Sequence, residues 1–230
     1  MTTKKVVIVG ASRGIGKALV ENFAKREGFE VVALSRNLEK MQTDFGVLSS
    51  VKCFEFDLEK DVRVQAEKLF SSIGKIDYLI NNAGFLINKP FEEITREELQ
   101  KSYHTNLFGV FETVQAIIPF LNPENSHIVN ISSMGGFQGS MKFAGLSAYS
   151  TSKAALCSFT ELFSEEYKAS TIAMNCLCLG SVQTEMLEEA FPGYQAPLNP
   201  EEVSEYISDF TIHAHKFMKG KIIPLSLTNP

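Results

Sequence analysis

Seven short apolar runs, separated by longer stretches of helical periodicity, restrict this chain to very few architectures. The runs are KVVIVGA, EVVALS, VKCFEFDL, DYLINNAG, HIVNISS, TIAMNCLCL and KIIPLSL. They are rich in β-branched residues and mostly continuous rather than alternating, as strands buried on both faces are. Between them the apolar spacing predicts helices near residues 14–26, 60–73, 95–121, 147–168 and 200–218. Strand–helix–strand repetition demands right-handed crossovers, hence an α/β fold with a doubly wound parallel sheet and helices on both faces. No Ser/Gly linker, charge block or low-complexity stretch divides residues 1–230, so one domain is expected to hold both binding and catalysis. Only MLEEAFPGYQAPLNP, residues 186–200, breaks the rhythm. Its internal prolines predict a loop or broken helix, either a connector or a cover over a substrate.

Composition excludes several classes. A net charge of −5 leaves no basic excess for phosphates, so no nucleic-acid partner is expected. No apolar run approaches the ~18 residues of a membrane span, and the first apolar stretch is too short for a secretory signal. The expectation is a cytoplasmic protein without a membrane partner. The four cysteines show no zinc-like spacing; Cys176 and Cys178 would share one face of a strand, and all four are expected as reduced core residues. His213 and His215 are expected at a solvated helix end rather than on a metal, which needs further ligands.

Immediately after the first run comes GASRGIG, residues 10–16. Gly10 permits a tight turn, Gly14 lets backbone approach a pyrophosphate, and Gly16 lets the next helix pack closely on the sheet. Amides at that helix start favour an anion. A nucleotide is the expected ligand, and charge chooses which one. The second run ends in Ser35 and Arg36, with no carboxylate to hold a ribose 2′-hydroxyl. Arg13 lies in the glycine turn, and two guanidiniums converging there match a 2′-phosphate. NADP(H) is therefore expected over NAD.

Further on, Tyr149 and Lys153 stand one helical turn apart in AYSTSK, about 6 Å along the axis on one helix face. A phenol's reference pKa of about 10 is too high for ready proton exchange near neutrality, and a neighbouring ammonium is expected to lower it. Small neighbours (Ser147, Ala148, Ser150, Ser152, Ala154, Ala155) are expected to let ligands come close.

With these motifs in order, the sequence resembles the short-chain dehydrogenase/reductase family over nearly its whole length. GASRGIG resembles the family's cofactor turn, NNAG its strand-four signature, and Asn106, Ser133, Tyr149 and Lys153 its catalytic set. The resemblance implies a Rossmann-like sheet of about seven strands. It implies cofactor contacts from Gly10, Ser12, Arg13, Gly14, Ile15 and Gly16 in the turn, and from Ser35 and Arg36 after it. Asp57 and Leu58 would meet the adenine edge, and Asn82, Ala83 and Gly84 its ribose. Tyr149 would be general acid in reduction and base in reverse, and Ser133 would bond the substrate oxygen. Lys153 would also hold the nicotinamide ribose, and Asn106 a water linking Lys153 to solvent. Thr184 and the Val182 backbone would orient the carboxamide. Homodimers or homotetramers are implied, with dimerisation expected through the helices near 95–121 and 147–168.

Three features depart from the family pattern. Ser133 and Tyr149 are separated by an unusually long, glycine-rich segment. Leu179 replaces a proline before Gly180, and KIIPLSLTNP lacks the family's acidic Gly-Gly ending. Phe85, Phe137, Met141, Phe143, Met186, Phe191 and Tyr194 are the candidate pocket residues, and they suggest a small, uncharged, apolar ketone or aldehyde, or the corresponding alcohol. Two other readings stand beside this one: an NAD-dependent alcohol dehydrogenase and a non-catalytic NADP(H) sensor.

Overall fold

The computed structural model of the protein describes residues 3–227. All seven expected strands form: β1 (Lys4–Val9), β2 (Phe29–Ser35), β3 (Val51–Glu55), β4 (Tyr78–Asn81), β5 (Ser126–Ser133), β6 (Ile172–Leu179) and β7 (Ile222–Leu225). They make one parallel sheet in the order β3-β2-β1-β4-β5-β6-β7. The order reverses between β1 and β4, the place where an open α/β sheet forms a ligand crevice beyond its carboxyl ends.

Alternate side chains of β1 enter two separate cores. Val7 and Val9 pack with residues of α3 (Val62–Ile73), α5 (Gly109–Ile117) and α6 (Ser147–Glu166). Val6 and Ile8 pack with α1 (Gly14–Ala24), α2 (Leu38–Phe45) and α8 (Pro200–His213). This explains why the runs of the central strands β1, β2, β4, β5 and β6 are continuously apolar: each has a dry neighbour on both sides.

Helix α2 was not expected. It is short and mostly polar, anchored by buried Met41 and Phe45 and started by Asn37, whose side chain accepts from Lys40 N. The single helix expected at 95–121 is divided into α4 (Arg96–Tyr103), a π-turn (His104–Phe108), α5 and a 3-10 turn ending at Phe120. The sequence periodicity runs through the π-turn, because one wider turn shifts the phase without introducing a breaker. The interrupted segment 186–200 begins with α7 (Glu185–Ala190) and continues irregularly to Pro200. At the carboxyl end, the helix expected to reach 218 stops at His213 and tightens into a 3-10 turn. Residues 228–230 of the tail, part of the departure noted in its ending, lie outside the described residues.

Candidate active site

Residues following β1, β4, β5 and β6 surround one cavity of about 530 Å³. The glycine turn forms one wall, and at Gly10 and Gly16 its geometry permits no side chain. Gly10 has φ +86°, and a Cβ there would lie 2.6 Å from the Ala83 backbone. A Cβ on Gly16 would sit 1.9 Å from the Gly10 carbonyl oxygen. Asn82 Nδ2 donates to that same oxygen at 2.9 Å, and Ala83 N donates to Val9 O, tying the turn to β4. Gly14 has φ +52°, next to Thr184. Ser35 Oγ donates to Ser12 Oγ, and Ile15 packs on the sheet. Helix α1 has no acidic residue in its first turn and no side-chain N-cap, so its first amides are available to an anion. A dinucleotide phosphate fits this cradle.

The two arginines expected around a 2′-phosphate each hold an acid in this structure. Arg13 pairs with Glu189 on α7 at 2.6 Å, whereas Arg36 pairs with Glu59 at 2.5 Å. Each exposed guanidinium has taken the nearest carboxylate. Asp57 accepts from Glu59 N; the helix start at Val62 is capped by Asp61, not Asp57. Leu58 is buried against Gly109, which leaves only its backbone for a ligand.

The Ser133, Tyr149 and Lys153 side chains all line the cavity. Ser133 ends β5 and accepts from Gly135 N. Gly135 and Gly136 then let α6 ride close: a Cβ on Gly136 would lie 2.6 Å from the Lys153 backbone, and one on Gly135 2.7 Å from Ser150 Oγ. The longer segment before Tyr149 is taken up by turns at Gly139 and Gly145, both with φ +84°. Lys153 Nζ lies 6.0 Å from the Tyr149 ring centroid and donates to Ile131 O at 2.8 Å.

Asn106 sits on the π-turn and is fully buried. Its Oδ1 accepts from Phe85 N, and its Nδ2 donates to Phe85 O and Ser152 Oγ. Gly84 lies between this amide and the ammonium: a Cβ there would be 3.6 Å from both Asn106 Oδ1 and Lys153 Nζ. Ser102 and Ser152 complete the network; Ser102 was not singled out from sequence, and Ser152, expected only as a small neighbour of ligands, is here a buried hydrogen-bond partner. The only sequence signal for Ser102 is its spacing of one helical turn from Asn106. Several of the small α6 residues, moreover, serve helix packing: Ala148 O accepts from Ser102, and Ser150 abuts Gly135.

The electrostatics also differ from the expectation for the phenol. Burial pushes Tyr149 above its ordinary value, with the Ser133 hydroxyl working the other way. Burial pushes Lys153 down to about 8. The ammonium has lost its own hydration, and among the causes acting on the phenol desolvation is the largest.

Five of the seven candidate pocket residues line the cavity: Met141, Phe143, Met186, Phe191 and Tyr194. Phe85 instead lies under the Lys101 ammonium, and Phe137 packs beside a group of cysteines. Leu86 and Leu146, not anticipated, complete the apolar wall. The 186–200 segment is thus a cavity wall, and Thr184 both lines it and caps α7. Val182 is buried and bridges to Leu198. Leu179 extends β6, paired with Leu225.

Among the described residues the histidines join no group of possible metal ligands. His127 is buried, bonded to Thr211 O and Asn175 Nδ2, and burial holds it at about 4, so it stays neutral. His213 is exposed as expected, but His215 is half-buried against Tyr78 and His127.

A nucleotide cradle and a Ser/Tyr/Lys wall on one parallel sheet define a nicotinamide-dependent oxidoreductase. The sequence pattern of the short chain dehydrogenase family matches residues 4–195, and the chain belongs to that family, whose members use nicotinamide cofactors. It is 29% identical over 216 residues to carbonyl reductase family member 4 of Xenopus laevis, spanning 89% of each chain. It is 30% identical over 190 residues to the human 3-oxoacyl-[acyl-carrier-protein] reductase, spanning 81% of this chain and 78% of that one. A short chain dehydrogenase structure from Salmonella enterica superposes with a TM-score of 0.88 at 25% identity, over 97% of this chain and 96% of that one. Among the described residues no helix is long and apolar enough to cross a membrane.

Proposed function

We propose that this chain, as a single catalytic domain, reduces the carbonyl of a small, uncharged, apolar ketone or aldehyde with NADPH, and oxidises the alcohol in reverse. The observation that carries this reading is the meeting of Ser133, Tyr149 and Lys153 on one cavity wall that runs to Arg13 and Gly14. The bound nicotinamide supplies the hydride. Gly10, Ser12, Gly14, Ile15, Gly16 and the α1 amides hold the phosphates, and Asp57, the Leu58 backbone, Asn82, Ala83 and Gly84 hold the adenosine. Val182 and Thr184 hold the carboxamide. Ser133 Oγ donates to the carbonyl oxygen as charge develops there. Tyr149 then delivers its proton to that oxygen; its raised pKa keeps it protonated, as a proton donor must be. Lys153 steadies the phenolate left behind and holds the ribose. Asn106, beside Gly84 with Lys153, positions the water that returns the proton.

Arg13 and Arg36 confer the NADP preference. Their present partners are exposed carboxylates, in pairs worth roughly 0–1 kcal/mol, which a 2′-phosphate displaces with stronger charge-assisted bonds. Replacing both by alanine is expected to weaken NADPH binding at least tenfold and leave NADH binding nearly unchanged. Equal affinity of the wild-type chain for NADH and NADPH, by fluorescence titration, defeats the assignment.

The substrate class follows from the apolar wall of Met141, Phe143, Met186, Phe191 and Tyr194, with the cations on the same lining, Arg13 and Lys153, engaged by the cofactor in this reading. NADPH oxidation across a carbonyl panel is expected to favour neutral apolar substrates; a preference for charged keto acids counts against the reading. We also place the chain in a cytoplasmic homodimer or homotetramer. Phe108, Phe111 and Leu162 are exposed on the π-turn, α5 and α6, and Phe111 stacks on Phe159 at 3.8 Å. Light scattering that gives a monomer at working concentration removes this part.

A further inference from the structure

Three of the four cysteines, one on α6 and two on β6, converge behind the catalytic wall. Cys176 and Cys178 project from β6 onto α6, where Cys157 follows Lys153 by one helical turn. Cys157 Sγ is 3.9 Å from Cys176 Sγ and 3.5 Å from Cys178 Sγ, and all three sulfurs lie within 4.8 Å of one another. None is in a disulfide, and Met134 packs against the same group. Three buried thiols as mere filler need not bring their sulfurs to a common point, since a small hydrophobe packs through any of its atoms.

We propose that Cys157, Cys176 and Cys178 form a site for one thiophilic three-coordinate cation of the Cu(I) type. A metal–sulfur distance of about 2.3 Å puts the corners of a trigonal site roughly 4 Å apart, close to the separations here. Thiolate sulfur selects soft ions. Zinc normally closes a structural site with a fourth strong ligand, and no fourth His, Cys, Asp or Glu joins the group among the described residues. The nearest polar side chain is the Ser132 hydroxyl, 3.4 Å from Cys157 Sγ and already donating to Lys153 O.

Charge balance is supplied by the neighbour that catalysis uses. The Lys153 ammonium interacts electrostatically with all three sulfurs. One Cu(I), two thiolates, one retained thiol and that ammonium sum to zero, so a buried site carries no net charge. Binding therefore releases two thiol protons to solvent, with no change of oxidation state. It also commits the Lys153 charge to the sulfur side, away from Tyr149, so the loaded enzyme is expected to turn over at least tenfold more slowly.

The test is anaerobic titration of the full-length chain with Cu(I), supplied as its acetonitrile complex against a chromogenic Cu(I) chelator. Native mass spectrometry is expected to show one ion per chain, and X-ray absorption three sulfur neighbours. Loss of an outer-shell partner alone costs roughly 10–100-fold in metal affinity, so Cys157→Ala or Cys178→Ala is expected to cost at least about a hundredfold. Cys53→Ala, on β3 and outside the group, is expected to change nothing. Cys176→Val supplies a volume-matched variant if either alanine form fails to fold. Failure to retain Cu(I) against the chelator, retention by the Cys157→Ala/Cys178→Ala double variant, or tighter four-coordinate Zn(II) binding each overturns the assignment. These readouts do not depend on turnover, so they stand apart from the fate of the proposed reductase activity.

Discussion

Tyr149→Phe is expected to lower NADPH-dependent carbonyl reduction by roughly 10²–10⁴-fold, the range general acid catalysis supplies. The ring stays, so the half-buried side chain keeps its packing on α6, and only the hydroxyl that lines the cavity is lost. NADPH affinity and thermal unfolding are expected to remain near wild type. A variant that loses cofactor binding and fold together with activity assigns Tyr149 a structural role instead. The pH dependence gives a second check. Burial raises the Tyr149 pKa, so the phenol remains protonated through neutral pH and reduction is expected to be flat there. Oxidation needs the phenolate and is expected to rise toward alkaline pH. Tyr149→Phe removes both behaviours.

Lys153→Met is expected to abolish efficient turnover and yet to stabilise the fold by about 2 kcal/mol at pH 7. Lys153 is 3% exposed, and burial brings it down to about 8 from an ordinary 10.5. At 1.36 kcal/mol per pH unit, holding the charge in that place costs on the order of 3 kcal/mol near neutrality. Methionine has a similar shape without the charge; it forfeits the hydrogen bond to Ile131 O, a loss of about 1 kcal/mol. The sign of the pH effect follows from the direction of the shift. The folded chain gives up the Lys153 proton near pH 8 while the unfolded chain keeps it to about 10.5, so wild-type stability rises through that window. The advantage of the variant should therefore shrink between pH 8 and 10.5. Urea unfolding at pH 7 and pH 10 measures both ends. A variant less stable than wild type at both values means that the ammonium is held by a favourable partner, and the stated cost is wrong.

Much of this site is local chemistry and therefore legible from residue order. The apolar runs predict the parallel sheet because strands covered on both faces must be apolar throughout. GASRGIG predicts the cradle because only glycine tolerates the backbone approach at Gly16. Ser133, Tyr149 and Lys153 share one cavity wall, in keeping with the family resemblance. Elsewhere local reading fails for identifiable reasons. The acids that Arg13 and Arg36 hold were not legible, because exposed guanidiniums pair with whichever acid the fold brings near, and Glu189 is 176 residues away from Arg13. Helix α2 escaped notice because it is only eight residues long and mostly polar, so its apolar stripe amounts to Leu38, Met41 and Phe45 alone.

The order of apolar runs by itself determined the sheet, the glycine turn determined the close backbone approach at its edge, and the one-turn spacing set Tyr149 and Lys153 on one face of α6. Tertiary structure alone decided the rest. It set a π-turn that brings Asn106 beside Gly84, gathered three cysteines behind Lys153, and raised Tyr149 while lowering Lys153. The division has a plain physical basis. Backbone preference and hydrophobic periodicity act between residues close along the chain, whereas desolvation and side-chain convergence depend on which distant segments exclude water together.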